Sequence, residues 1–432
     1  MTADGNNFLL SFFGDDFTGS TDAMESLARS GVRTVLFTAS PTPRQLAQHG
    51  GVRAFGVAGM TRSMPPDAME GTLRPAFVAM GALKPPIVHY KVCSTFDSSP
   101  TVGSVGRAID VGADVFGSKF VPVVAGAPAL GRHCVFGNLF ARSGPETEPF
   151  RLDRHPSMSK HPTTPMDEAD LRRHLAKQTD KPIALLDVLA IDGPDPEQAL
   201  DRLLRNGAPI VLIDLLHDGQ LATVGRLIDH HGQSDAPHYV VGSSGVESAL
   251  AAHWRVTGAI PKHHEFAPAG PNGPIVAICG SCSPVTAGQI RHALASGFDE
   301  AANLSEATDL TIRSLRGGRS VVIHTGMGET DKRLSGPSAD EIGPALGTIL
   351  RDVLDATKVR RVIVAGGDTS GHVATALGIE SMEMIAELAR GSPLCRVRAP
   401  NSPAGGIECT FKGGQIGKVG FFTQVQQGIR DV

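Results

Sequence analysis

The chain has 432 residues, 41% hydrophobic and 19% charged, with a net charge of −4. That length predicts two or three domains and is enough for two ordinary cores. The weak negative balance points away from nucleic acid and anionic membranes, so an anionic ligand must be met by local basic residues. No apolar run approaches the roughly 20 residues of a membrane span. Asp4 precedes the first short apolar run and no basic stretch does, which predicts no signal peptide. Six cysteines are sparse for a disulfide scaffold and predict a reducing, cytoplasmic setting. Cys279-Gly280-Ser281-Cys282 matches C-x-x-C, but a redox reading requires a thioredoxin-like fold around it. Zinc would require a second ligand pair that is not evident, so no metal site is predicted.

Phe8 to Phe13 is the first predicted strand. It runs into Gly14-Asp15-Asp16-Phe17-Thr18-Gly19-Ser20-Thr21-Asp22, after which Ala23, Leu27 and Ala28 mark a helix. Strands follow at 34–37, 54–57, 87–91 and 120–124, each leading to a turn and a helix. That alternation predicts an α/β fold of two doubly wound domains with mainly parallel sheets. Ligands of such sheets gather at the carboxyl ends of the strands. Asp15, Asp16 and Arg62 therefore share one rim, and Lys91, followed by Cys93, Ser94 and Thr95, is a candidate ligand contact.

Residues 143–165 are poor in apolar side chains and carry four prolines before Pro165, which predicts a long loop. A helix is predicted over 167–177, with strands at 183–186, 210–214 and 239–242. The segment 263–273 lacks periodicity and reads as a linker, separating domains at 1–262 and 274–432. His263-His264 has no third ligand nearby. In the second domain, a strand at 275–278 meets Gly280-Ser281-Cys282-Ser283-Pro284, where Ser283 can cap a helix and Pro284 can open it. A strand at 320–324 and an amphipathic helix at 338–356 follow. Arg361 to Ala365 then reads as a buried strand entering Gly366-Gly367-Asp368-Thr369-Ser370-Gly371, with a helix expected over about 372–377. Thr410 to Gly417 is a third glycine-rich turn, with Lys412 at its start. Such turns suit phosphate, because glycine allows close approach and a helix N-terminus offers free N–H groups. There is no G-x-x-x-x-G-K-[ST], and no dinucleotide fingerprint follows the first strand. Gly242-Ser243-Ser244-Gly245 is a weak glycine signal.

The segment Gly14 to Ser20 with Asp22 resembles the D-D-x-T-G-A-x-D signature of the four-carbon acid sugar kinase family. The resemblance continues in order through Gly131-Arg132, His161-Pro162-Thr163-Thr164-Pro165-Met166, Gly280 to Ser283, Gly366 to Gly371 and Lys412-Gly413-Gly414-Gln415. It implies an ATP-dependent kinase of small sugar acids or their 3-oxo forms, with an N-terminal substrate domain and a C-terminal nucleotide domain. Implied ATP contacts are Ser281, Ser283, Gly366, Gly367, Asp368, Thr369 and Gly414. Implied substrate contacts are Asp15, Asp16, Arg62, Lys91, Cys93, Ser94 and Thr95. His161 is a further candidate, either on the substrate or as a cap of its own loop.

The family pattern K-x-D-S-T-x-R-G-N is altered here to Lys91-Val92-Cys93-Ser94-Thr95-Phe96-Asp97-Ser98-Ser99. Cys93 replaces the aspartate and the R-G-N end is absent. This calls the usual threonate, erythronate or 3-oxo-tetronate into question and makes a branched or larger acid, such as 3-oxo-isoapionate, a candidate beside the four-carbon acids. Asp368 stands where the family often has Glu and keeps the charge. The expected mechanism places Mg²⁺ across the β- and γ-phosphates and the acceptor hydroxyl on Asp15 or Asp16, one of which caps the helix while the other faces the ligand. Arg62, Arg132 and Lys91 are the cationic candidates for the substrate carboxylate. Closure of the two domains would exclude water. Exposed helices in such folds often pair into homodimers. A non-catalytic sugar-acid-binding protein of the same fold is the alternative, although both the substrate rim and the nucleotide turns are intact.

Overall fold

A computed structural model of the chain describes residues 7–144, 147–231, 236–262, 264–328 and 339–430, and backbone only for residues 339 and 340. The strands in chain order begin with β1 (Leu10–Gly14), β2 (Thr34–Phe37), β3 (Ala54–Ala58), β4 (Ile87–Lys91) and β5 (Val121–Val124). Next come β6 (Arg132–Val135), β7 (Asn138–Arg142), β8 (Pro149–Arg151), β9 (Ile183–Leu186), β10 (Ile210–Ile213) and β11 (His238–Gly242). The rest are β12 (Val276–Cys279), β13 (Asp299–Ala301), β14 (Val321–His324), β15 (Arg361–Ala365), β16 (Ser381–Ala389), β17 (Ser392–Arg398) and β18 (Glu408–Lys412). The chain divides into two compact units. One holds Met1–Gly19, Ser26–Arg33 and Ser40–His264; the other holds Ser20–Glu25, Thr34–Ala39 and Glu265–Val432.

In the first unit, β3-β1-β4-β11-β5-β10-β9 form a parallel sheet in that order. Its inner strands are mostly apolar and buried because both faces are covered, with Ser11 and His89 as buried polar exceptions. Between the sheet and the helices Pro66–Ala82 and Val105–Phe116 lies an aromatic cluster. Phe77 meets Tyr239 at 5.4 Å and Phe116 at 5.7 Å between ring centres, and Phe116 stacks on Tyr239 at 5.5 Å. Helix Val105–Phe116 starts on the Ser104 hydroxyl, which accepts from Arg107 N, and ends at left-handed Gly117. Gly14, Ala58, Lys91, Gly242 and Val124 stand side by side in the pairing register. The carboxyl ends of five strands therefore form one straight rim.

In the second unit the order is β13-β14-β12-β15-β18-β17-β16-β2, parallel up to β18 and antiparallel beyond it. His324, Cys279, Ala365 and Lys412 share the last rung. Ile275, Ile290, Ile363, Leu388, Phe421 and Phe422 belong to its core. At the opposite end of the strands, buried Arg361 binds Glu408 through Nε and Nη2 at 2.9 and 2.7 Å, and donates to the carbonyls of Gly270 and Val425. Among the described residues no helix is long and apolar enough to cross a membrane.

Several elements differ from expectation. The helix expected over 167–177 is only Leu171–Leu175, because Asp170 caps it and also holds the Arg172 guanidinium at 2.6 and 3.0 Å. The helix after β15 starts at Gly367, five residues early, with Gly366 rather than Asp368, Thr369 or Ser370 at its cap position. The long loop contains β8 and two 3₁₀ turns that bury Leu152 and Met158. The helix at 339–356 is present, while Ser338 and His263 lie outside the described residues. The glycine signal at 242–245 is a packing device. A Cβ on Gly245 would lie 1.8 Å from the Gly126 carbonyl oxygen, and the Ser243 hydroxyl already ties Ala125 to the Gly245 N–H. Gly245→Ala is therefore expected to lower unfolding stability by about 3 kcal/mol, at the upper end for overpacking, because backbone cannot yield as a side chain does. Urea unfolding tests this, and a loss under about 0.5 kcal/mol, ordinary for a surface site, would refute the tight contact.

Candidate functional site

On the rim of the first unit, Asp15 continues the pairing of β1. Its N–H donates to Lys91 O at 2.9 Å, and its carbonyl accepts from Arg62 N at 3.0 Å. Asp16 is extended, with φ −141°, and caps the helix Phe17–Arg29. Its Oδ1 accepts from Gly19 N and its Oδ2 from the Thr18 hydroxyl, both at 2.8 Å. Successive strand residues face opposite ways, but here the chain turns into a helix between them and both carboxylates meet one guanidinium. Arg62 donates Nε to Asp15 Oδ2 at 3.0 Å and Nη2 to Asp15 Oδ1 at 2.7 Å. Nη2 also reaches Asp16 Oδ1 at 2.8 Å. A Cβ on Gly19 would sit 2.3 Å from Asp16 Oδ1, 3.5 Å from Lys91 Nζ and 3.6 Å from Arg62 Nη2. The missing side chain lets these three polar groups converge.

Burial pushes the Asp15 carboxyl above its ordinary value, although Arg62 opposes the shift. Burial also works against the Arg62 charge, but Asp15 and Asp16 outweigh it and hold the guanidinium well above its ordinary value. The Asp15 side chain is 4% exposed and that of Asp16 22%, so Asp16 is the one a ligand can reach. Two residues before Lys91, fully buried His89 joins Glu247 through Nδ1 at 3.0 Å and the Gly242 carbonyl through Nε2 at 3.1 Å, which pins β4 to β11 below the rim.

After β4 the chain makes a hydroxyl-rich turn. Thr95 donates its one proton to Asp97 Oδ1 at 2.7 Å, so the 2.9 Å contact with Cys93 Sγ has the thiol as donor. Cys93 is therefore a neutral S–H, and burial together with Asp97 pushes its pKa up to about 11. Ser94 is half-buried beside it. Burial pulls the Arg132 guanidinium below its ordinary value, with Cys93 and Asp97 acting the other way. Its Nη1 donates to the carbonyls of Leu130 at 2.9 Å and Arg142 at 3.2 Å, while its buried Nε has no partner among the described residues. Of the cationic candidates, Arg62 is already engaged by two carboxylates and Arg132 retains an unused donor. His161 turns Nδ1 inward, accepting from Thr164 N at 3.1 Å and meeting the Thr164 hydroxyl at 3.0 Å. It caps its own loop, and among the described residues no hydrogen bond joins it to the Asp–Arg cluster.

On the rim of the second unit the three glycine turns come together. Gly280 N and Ser281 N both donate to the Ala365 carbonyl, at 3.1 and 3.2 Å, and Gly366 N donates to Lys412 O at 2.9 Å. Gly366 has φ +133°, and Cβ atoms on Gly280 and Gly366 would lie 2.2 and 2.6 Å from Thr369 Oγ1. Thr369 is thus wedged between the first and second turns. Ser283 caps the helix Pro284–Ala295, accepting from Thr286 N at 3.1 Å, and donates to the Gly414 carbonyl. A Cβ on Gly414 would lie 2.5 Å from Ser281 Oγ. Two helix N-termini, at Pro284 and Gly367, therefore open beside one glycine turn, with first-turn N–H groups that have no partner inside their helices. Asp368 is exposed in the first turn of the second helix. The six cysteines are free thiols, and among the described residues no group of three or more His, Cys, Asp or Glu is placed to hold a metal. Asp97 and Thr286 escaped the sequence reading. The alternation of Cys93, Thr95 and Asp97, and the N-cap spacing of Ser283 and Thr286, were the available signals.

Residues 10–250 match the family of sugar-binding N-terminal domains and residues 276–422 that of nucleotide-binding C-terminal domains. The chain is 43% identical to a 3-oxo-isoapionate kinase of Paraburkholderia graminis, over 97% of this chain and 94% of that one. It is 29% identical to a 3-oxo-tetronate kinase of Methylobacterium radiotolerans, over 94% and 96% of the two chains. Among solved structures it is similar to a Salmonella typhimurium protein described as a tRNA synthase, with a TM-score of 0.79 and 25% identity over 98% of this chain and 99% of that one. A Haemophilus influenzae protein shares the fold, with a TM-score of 0.74 and 23% identity over 96% and 99% of the chains.

The asymmetry of the two carboxylates is testable without any ligand. Asp15→Asn leaves the half-buried Arg62 with part of its counter-charge and should cost about 3 kcal/mol. Asp16→Asn keeps an amide oxygen to cap the helix and should cost under about 1 kcal/mol. Urea unfolding of both variants measures the difference, and equal losses would contradict it.

Proposed function

The chain belongs to the four-carbon acid sugar kinase family and is a sugar-acid kinase, and on that premise we propose that its acceptor is a branched 3-oxo sugar acid, 3-oxo-isoapionate, phosphorylated from ATP. The first unit holds the sugar acid and the second the nucleotide, in the cytoplasm where ATP is supplied. The observation that carries the reading is the Asp15–Arg62–Asp16 cluster at the end of β1, a carboxylate held by a guanidinium where ligands of such a sheet gather.

Asp16 accepts the proton of the acceptor hydroxyl as its oxygen bonds to the γ-phosphorus and the bond to the leaving β-phosphate breaks. Arg62 holds the Asp16 carboxylate through Nη2, and Asp15 keeps Arg62 in place. Arg132, through its unused Nε, and Lys91 receive the substrate carboxylate. Ser281, Ser283, Gly366, Gly367, Thr369 and Gly414 cradle the phosphates, which is most of what phosphoryl transfer asks of a protein. Mg²⁺ would supply charge neutralisation on the triphosphate. It takes few protein ligands beside phosphate and water, and Asp368, exposed in the first turn of the helix Gly367–Ala376, would be the carboxylate to hold it. Cys93 presents a neutral S–H where the family pattern has an anion, and Asp97 returns one carboxylate four residues later. The 43% identical relative is a 3-oxo-isoapionate kinase, which supports that acceptor over the four-carbon ones.

ATP consumption with Mg²⁺ against 3-oxo-isoapionate, 3-oxo-tetronates, threonate and erythronate should show turnover on the first. Asp16→Asn should lower kcat by about 10²–10⁴-fold, the usual range for a general base. Turnover on a 3-oxo-tetronate alone would overturn the choice of acceptor. No turnover on any of them together with no ATP binding would favour a sugar-acid-binding protein over an enzyme, whereas ATP binding without turnover would mean that the panel lacks the true acceptor.

A further inference from the structure

Lys412 ends β18 and is fully buried. Its Nζ donates to the Thr286 hydroxyl at 3.0 Å, its one hydrogen bond among the described residues. Among the described residues no carboxylate acts on it, from its neighbours β15 and β17 or from elsewhere. The titratable group that acts on it is the Cys279 thiol of β12, which burial pushes up to about 12 and so keeps neutral. Burial lowers the lysine to about 8. A buried ammonium with no counter-ion is costly, and a methionine would fill the same space without that cost.

The direction of the hydrogen bonds shows what the lysine does. An ammonium only donates, so Thr286 Oγ1 accepts from Lys412 and turns its own proton to the Gly414 carbonyl at 2.9 Å. Ser283 donates to the same carbonyl. A carbonyl held by two hydroxyls cannot rotate. In the trans peptide that follows, the Gln415 N–H points the opposite way, out of this network. The third glycine turn is thereby fixed against the first, where Ser281 and Ser283 lie.

We propose that Lys412 is a positioning residue of the nucleotide half-site, a buried cation that locks the Gly413-Gly414 turn through Thr286 and takes its missing counter-charge from the nucleotide's polyphosphate. This rests on the reading of the second unit as nucleotide-binding. Two consequences follow from the sign of the charge. Polyphosphate favours the protonated amine, so above pH 8 binding draws a proton from solution. In the free protein the charge destabilises in full below pH 8, and that cost fades as pH rises to the ordinary lysine value of 10.5.

The test is calorimetric titration of the full chain with ATP and Mg²⁺ from pH 7 to 9.5, in two buffers of different ionisation heat, with thermal unfolding of the nucleotide-free protein. Wild type should weaken by up to about tenfold per pH unit above pH 8, with proton uptake approaching one. Lys412→Met should bind about ten- to a hundredfold more weakly at pH 7, with no proton uptake and a Tm at or above that of wild type. Thr286→Val should also bind more weakly but still take up the proton. Wild-type binding without proton uptake would overturn the proposal, as would a methionine variant that binds like wild type. A methionine variant that loses Tm and affinity together would show a merely structural lysine. If that variant does not fold, proton uptake in wild type and in Thr286→Val decides. ATP binding that ignores Lys412 sinks this proposal alone, whereas wild type that binds no ATP at any pH sinks the kinase reading with it.

Discussion

Two neighbouring carboxylates at the edge of a protein core repel each other unless a cation lies between them, and Arg62 is that cation. Its planar fork matches the two oxygens of Asp15, and the same Nη2 reaches Asp16. The rest of the rim follows from this clamp. Gly19 must lack a side chain so that the groups can meet. The turn before Arg62 is held by its backbone N–H on Asp15 O. Asp16 is left with one duty as a helix cap and an exposed edge for chemistry. A lysine in place of Arg62 would bring the charge without the fork.

The second unit handles charge differently. Its turns are built from backbone and hydroxyls, with the buried ammonium of Lys412 beneath them and, among the described residues, no carboxylate acting on it. The Asp15–Arg62–Asp16 clamp thus pairs its charges internally, while the Lys412 ammonium is left without a carboxylate. That difference suits their ligands. A hydroxyl donor needs a base that is already poised, whereas a polyanion is attracted by a site that lacks negative charge.

Much of this was legible in the sequence, for a physical reason. Strands buried on both faces must be short, apolar and rich in β-branched residues, so Ile210–Ile213 and Arg361–Ala365 stand out by composition. The rim rule then gathers Asp15, Asp16 and Arg62 before any coordinate is known. What stayed hidden depended on contact through space or on conflicting propensity. Ser381–Ala389 alternates buried and half-buried positions, but it is made of Met, Glu, Ala and Leu, good helix formers that mask the period. Lys412 and Thr286 are 126 residues apart and meet only once β18 lies beside the helix Pro284–Ala295. Whether His161 turns inward to Thr164 or outward is a rotamer choice that its motif does not encode.

The place of β2 bears on how the chain is made. It leaves the ribosome among the first residues, yet it pairs with β16, and the Thr38 hydroxyl bonds to Ile379 O across 341 residues. At about 5–20 residues per second of synthesis, that interval is on the order of half a minute. Through that time a strand of Thr-Val-Leu-Phe waits without its antiparallel neighbour, and such edges recruit other chains. A chain released at the linker would keep β2 and never receive β16. The second unit therefore closes this pairing only after β16, ending at Ala389, has been made.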